Sequence, residues 1–129
     1  MVCGRREARG QEVVDGIVAE GGSASFHRMD LTDLSTVDAL FADTARDHGR
    51  IDILVNNAAG VGLKDGRVDE ISLEDWDAMF ASGVRGTFCA IKAVLPYMIE
   101  AGGGSIVNIG SMASISGDLG ATAYACSKA

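Results

Sequence analysis

Tyr124 and Lys128 stand four positions apart near the end of the chain, in Tyr124-Ala125-Cys126-Ser127-Lys128. On a helix that spacing puts both side chains on one face, one turn apart. A free tyrosine has a pKa of about 10, too high for a base near neutrality, and an ammonium beside it favours the phenolate. The pair can therefore move a proton, although a lone Tyr and Lys at this spacing also make an ordinary exposed helix pair. Ser111, thirteen positions before Tyr124, follows an apolar run and by itself reads as a turn residue at a strand end. Two more polar motifs follow earlier apolar runs: Asp30-Leu31-Thr32-Asp33 and Asn56-Asn57-Ala58-Ala59-Gly60. Cys3, Cys89 and Cys126 form an odd set without a C-x-x-C spacing, and His27 and His48 stand alone. No metal site and no disulfide framework are expected from them.

The elements that must position these residues alternate regularly. Val13, Val14, Ile17 and Val18 mark one face of a helix from Arg6 to Glu20, ended by Gly21-Gly22. Ala24 to Met29 alternates like a short strand. A second helix runs from Leu34 to His48, with Val37, Leu40, Phe41 and Ala45 on its apolar side, and Gly49 stops it. Asp30 or Asp33 can supply its N-cap. Ile51 to Val55 is β-branched and too short for a helix. Ser72-Leu73-Glu74-Asp75 is a capping-box signature opening a long helix through Trp76, Met79, Phe80, Val84, Phe88, Ile91, Val94 and Leu95. Pro96 is expected to kink it or to begin a separate last turn. Gly102-Gly103-Gly104 ends the element, Ser105 to Ile109 is another strand, and Met1-Val2-Cys3 reads as one more. Apolar strands alternating with helices predict an α/β fold with a parallel sheet covered on both faces. In such sheets ligands bind beyond the carboxyl ends of the strands, and all the polar motifs lie there.

Together, Asn56-Asn57-Ala58-Ala59-Gly60, Asp30-Leu31-Thr32-Asp33, Ser111 and Tyr124-x-x-x-Lys128 resemble the classical short-chain dehydrogenases/reductases, over the whole of residues 1–129. The resemblance implies a partial NAD(P)-binding Rossmann-type domain, doubly wound, that lacks its first strand and its last strands. It implies hydride transfer between a nicotinamide cofactor and a secondary alcohol or its carbonyl, with Ser111, Tyr124 and Lys128 as the catalytic group. Ser111 would orient the substrate oxygen, Tyr124 would exchange the proton, and Lys128 would also hydrogen-bond the nicotinamide ribose. Asp30 and Leu31 carry over as adenine contacts, and Asn57, Ala58, Ala59 and Gly60 as the turn under the cofactor. The family usually reads N-N-A-G, so Ala59 is an extra residue. Where an acidic residue would bind the 2′-hydroxyl of NAD, this chain has Gly4 and then Arg5, whose guanidinium suits the 2′-phosphate of NADP. NADP(H) is thus the expected cofactor, with NAD(H) the alternative. Arg6 reads as a solvated residue at a helix start.

The chain also departs from that pattern. The T-G-x-x-x-G-x-G phosphate loop, which would set backbone N–H groups and a helix N-terminus on the pyrophosphate, is absent from these 129 residues. So is the substrate-binding region beyond the catalytic helix. In the family strand order 3-2-1-4-5-6-7 the absent first strand lies mid-sheet, so the strands near residues 1–3 and 24–29 should find no ladder to those near 51–55 and 105–109. An isolated chain of this kind is expected to be unstable and inactive, a piece of a parent enzyme that forms homodimers or homotetramers through the long helix and the one after it. Gly83 falls where the family carries an Asn of its proton relay. That favours the rival reading, a non-catalytic binding or regulatory protein on the same scaffold. A formal charge of −7 disfavours nucleic acid as a partner. The apolar stretches look well short of the roughly 20 residues that span a bilayer, and no leader is visible at Met1. A cytoplasmic protein with a small-molecule partner is expected.

Overall fold

In the computed structural model, which describes residues 1–60, 64–117 and 120–129, strands and helices alternate in the expected order. Strand β1 (Val2–Gly4) leads into helix α1 (Glu7–Ala19) and returns to β2 (Phe26–Arg28), which pairs parallel with β1. Gly21 ends the turn after α1 with φ +84°, a conformation open to glycine at little cost. The helix buries Gly10 and Val14, while Val13 and Val18 are about half exposed, so its inner face is narrower than four valine and isoleucine positions predict. Gly10 explains the difference. A Cβ there would lie 2.0 Å from Cδ2 of Phe26, so α1 lies directly on its strand at a residue without a side chain.

Helix α2 runs from Leu34 to His48, as its spacing predicts. Asp33 is the N-cap: Oδ1 accepts from the backbone N–H of Ser35 at 3.1 Å and from its hydroxyl at 2.7 Å. Gly49 closes the other end at φ 77°, its N–H donating to the Ala45 carbonyl. Val37, Leu40 and Phe41 are buried.

Strands β3 (Ile53–Asn56) and β4 (Ser105–Asn108) form a second parallel pair, in register from Ile53↔Ser105 to Asn56↔Asn108. One long helical run connects them: α3 (Leu73–Phe80), a π-helical turn (Ala81–Arg85) and α4 (Gly86–Glu100). Ser72 caps α3 by accepting from the Asp75 N–H at 3.0 Å. Its hydroxyl donates to the Asp75 carboxylate at 2.6 Å, so the acidic partner of the box takes a hydroxyl proton in place of a backbone one. Pro96 starts no separate turn, since α4 continues through it to Glu100. It lies inside α4, on the exposed side, where water can satisfy the Lys92 carbonyl that a proline leaves unbonded.

Only some of the apolar residues along this run face inward. Met79, Gly83, Gly86, Ala90, Val94 and Met98 are buried, whereas Val84, Phe88 and Leu95 are exposed. The buried face mixes Gly83, Gly86 and Ala90 with the larger Met79, Val94 and Met98. Leu73–Glu100 is long and apolar enough to cross a membrane by length and composition, contrary to the sequence reading. Its buried face packs on α2, β3 and the core, which is how the central helix of a folded domain meets that criterion.

The core gathers Val37, Leu40, Phe41, Ile51, Ala90, Val94 and Met98, with Leu54 and Ile106 of the sheet against it. Among the described residues, helices cover only this face of the β3–β4 sheet. Ile53, Val55, Val107 and Ile109 are exposed on the other, because α2 and α4 both lie on one side and α1 belongs to β1 and β2. Among the described residues no ladder joins β1–β2 to β3–β4, as the absent central strand implies. Two short helices complete the chain: α5 (Ala113–Ser116) and, packed against it, α6 (Thr122–Lys128).

Candidate active site

The carboxyl ends of β1, β2 and β3 converge on one cleft of about 210 Å³. Arg5 enters from the end of β1, Asp30 and Leu31 from the end of β2, and Ala58 to Gly60 from the turn after β3. Six of the expected cofactor residues are thereby brought together. Asn57 is exposed and does not line the cleft, nor does Arg6, which precedes α1 as its N-cap.

Asp30 is set by its own loop. Its Oδ1 accepts from the backbone N–H of Thr32 at 2.9 Å and from the Thr32 hydroxyl at 2.7 Å, and its N–H donates to Thr36 Oγ1. The backbone bond from Thr32 is the main cause that holds this carboxyl below its ordinary range; the hydroxyl bond, then the charges of Arg5 and Arg28, act in the same direction. Asp30 therefore stays ionised well into mild acid, and Oδ2 takes part in neither Thr32 bond. Asp33, not Asp30, caps α2.

Leu31 is placed by a residue that sequence reasoning passed over. A Cβ on Gly86 would fall 2.7 Å from the Leu31 Cβ, so the first residue of α4 must be glycine for the helix to sit under the cleft. Gly86→Ala gains up to about 1 kcal/mol of helix propensity but forces an atom beside the Leu31 backbone to move, at about 1–3 kcal/mol. Net destabilisation of roughly 1–2 kcal/mol is expected, read as a fall in the urea midpoint; an unchanged or raised midpoint would show that Leu31 is free to shift.

The other motifs meet at the ends of β3 and β4. Lys128, at the end of α6, donates from Nζ to the carbonyl of Ile109 at 3.0 Å and to that of Ala58 at 3.2 Å. An ammonium has three donors, so one proton remains after these two bonds. Lys128 thus touches both the turn expected under the cofactor and the segment leading to Ser111. It lines a second cleft with Asn56, Gly83, Asn108 and Gly110. Asn56 and Asn108 face each other across the ladder, with Nδ2 of Asn56 donating to Oδ1 of Asn108 at 2.9 Å.

Ser111 follows β4 and its Oγ accepts from the Ala113 N–H at 3.2 Å, opening α5. This is the turn role its position predicts, and the packing of α5 on α6 brings that turn beside the helix carrying Tyr124. Gly83 lies in the π-helical turn, where the Gly86 N–H reaches back to the Ala81 carbonyl. Such turns recur at functional sites. A Cβ on Gly83 would stand 3.3 Å from Cβ and Oγ of Ser127, so the π-helical turn packs closely on α6 here. Two positions escaped the sequence reading: Gly86 and Asp65, whose carboxylate bonds the start of α6. Ala121 ahead of α6, a residue unable to cap, was the available signal for the second. Among the described residues no group of His, Cys, Asp and Glu could hold a metal ion.

Comparison with known proteins gives one family. A family model described as short chain dehydrogenase matches residues 1–129. The chain is 41% identical over 119 residues to the uncharacterized oxidoreductase YxbG of Bacillus subtilis, covering 92% of this chain and 42% of that protein. Among solved structures it resembles a metagenomic short-chain oxidoreductase in complex with NADP, with TM-score 0.87, 35% identity, and 98% and 57% of the two chains covered. It also resembles a gluconate 5-dehydrogenase of Burkholderia cenocepacia in complex with NADP and tartrate, with TM-score 0.85, 30% identity, and 98% and 49% covered. The chain therefore spans about half the length of the relatives it matches.

Proposed function

Because the chain belongs to the short-chain dehydrogenase family, we propose that it forms the cofactor-binding and catalytic half of an oxidoreductase that interconverts a small secondary alcohol and its carbonyl with NADP(H). The observation that carries this reading is Lys128, whose ammonium bridges the Ala58 turn and the end of β4. That places the cation where two recognition motifs meet, with a proton to spare.

The cofactor cleft fits an adenosine 2′-phosphate. Asp30 offers a carboxylate oxygen to the adenine amino group, Leu31 and the small residues Ala58 to Gly60 offer close apolar contact, and Arg5 offers a fork to the phosphate. When bound, the nicotinamide supplies or takes the hydride. The chain's own groups do the rest. Ser111 holds the substrate oxygen, Tyr124 gives it a proton in reduction and removes one in oxidation, and Lys128 stabilises the negative charge left on the phenol. Homodimers or homotetramers, and a cytoplasmic setting consistent with the free Cys3, Cys89 and Cys126, go with this reading. The rival, a non-catalytic binding or regulatory protein on the same scaffold, rests on Gly83, which has no side-chain amide to offer a relay.

Thermal unfolding with and without excess cofactor tests the proposal. NADPH at about a hundred times its Kd should stabilise the folded chain by about 2.7 kcal/mol, and NADH should do so less. Arg5→Gln should weaken NADPH binding about tenfold or more, the loss of a charge-assisted bond, and leave NADH where it was. No NADPH-induced rise in midpoint would sink the reading, and an equal response of Arg5→Gln and wild type would remove the NADP preference.

A further inference from the structure

Helix α6 has seven residues and opens on Ala121, which carries no side-chain acceptor. So short a helix does not hold itself together in water, and its buried residue, Ala123, contributes little apolar area. Its first N–H groups nevertheless all have partners. Asp65, 58 and 59 residues upstream, accepts from the Ala123 N–H through Oδ1 at 3.0 Å and from the Tyr124 N–H through Oδ2 at 2.8 Å. The Gly66 carbonyl accepts from Thr122 at 3.3 Å, and the Ala125 N–H makes the first bond inside the helix, to Ala121. Asp65 Oδ1 also takes the Gly66 N–H at 2.8 Å, which fixes the carboxylate on its own turn.

We infer that Asp65 is a positioning residue for Tyr124: its carboxylate supplies the missing cap of α6 and sets where the phenol stands. This rests on the catalytic reading of Tyr124 proposed above. The residue type suits the task. Both oxygens of a carboxylate accept, so one side chain meets two adjacent N–H groups. An asparagine would turn an NH₂ toward one of them. The negative charge also complements the helix N-terminus. At the other end of α6, Lys128 is tied to Ile109 and Ala58. The helix is thus pinned at both ends to the loops that follow β3 and β4, and the five positions from Tyr124 to Lys128 are held between the pins. Since catalytic groups misplaced by about 1 Å lose about a hundredfold in rate, such a clamp matters more to Tyr124 than to the fold.

Amide hydrogen exchange, followed by NMR on the full chain without cofactor, tests the clamp in Asp65→Ala and Asp65→Asn. In Asp65→Ala the Ala123 and Tyr124 amides should exchange at least about tenfold faster, the scale of one lost charge-assisted bond, while the Val94 amide keeps its wild-type rate. Asp65→Asn, with one acceptor left, should restore part of that protection. The ring resonances of Tyr124 should move in Asp65→Ala while those of Tyr97 hold. The inference is overturned if Ala123 and Tyr124 are unprotected in the wild type, if they exchange alike in wild type and Asp65→Ala, or if Val94 speeds up with them. NADPH titration of the same samples reads the functional proposal separately: protection that depends on Asp65 without an NADPH response would leave the clamp standing and the catalytic reading fallen.

Discussion

In the whole oxidoreductase of which this chain is proposed to form half, Tyr124→Phe is expected to cut turnover by about 10²–10⁴-fold, the usual contribution of one positioned general acid or base, while leaving the NADPH-induced rise in unfolding midpoint at its wild-type size. The substitution removes one oxygen from a half-buried residue whose backbone N–H is already held by Asp65, so the helix and the cleft should survive it. The rate is followed as NADPH absorbance with a panel of small ketones, hydroxy acids and sugars, and the wild type is measured in parallel. Lys128→Ala differs in kind, since it also frees the Ile109 and Ala58 carbonyls and should weaken cofactor binding together with the rate. A Tyr124→Phe protein that turns over like wild type would remove Tyr124 from the chemistry, whereas no turnover in either protein would favour one that binds cofactor without reacting.

The second large effect concerns the core. Phe41→Ala should destabilise the chain by about 3–5 kcal/mol, the cost of emptying a buried aromatic site. Phe41 is 4% exposed and sits in the cluster of Val37, Leu40, Val94 and Met98 that binds α2 to α4. Whole domains are stable by only about 5–15 kcal/mol, and among the described residues helices cover just one face of the β3–β4 sheet. The variant should therefore lose its cooperative transition at physiological temperature. Urea unfolding followed by the single tryptophan, Trp76, reads the loss. Ile53→Ala, at a position 64% exposed, should change the midpoint little. If both substitutions cost the same, the core is not where the structure puts it.

Much of this arrangement was legible in the residues alone, and the reasons for success and failure are local. Helix α2 was read to both ends because Asp33 and Gly49 are strong signals at either terminus. The strands were placed correctly but their ends differ by one or two residues, β1 and β3 each running one residue further, since three- and four-residue ladders are set by the partner strand and not by composition. Which face of the long helix packs inward was not read from the sequence. Large apolar residues occupy both sides of it, and the packed side is chosen by Gly83 and Gly86, where a side chain would strike Ser127 or Leu31. A π-helical turn between two regular segments leaves no periodic trace. The cofactor cleft followed from motif positions at strand ends, because parallel strands put their carboxyl ends together. Asp65 escaped because its partners lie far along the chain, and a cap supplied from such a distance has no local spacing to reveal it.

The division of the strands into two separate pairs bears on how the molecule comes together. Each ladder is parallel, so neither can zip up from a tight turn. Asn56 meets Asn108 across 52 residues, and the intervening chain must be largely in place before the first pair of strands is rewarded. Such high contact order slows folding. Among the described residues no strand is shared between the pairs, and segments joined without a ladder can open at different free energies. The cleft at the ends of β1, β2 and β3 lies where the two pairs meet. A ligand seated there touches both, and so ties the two into one cooperative whole.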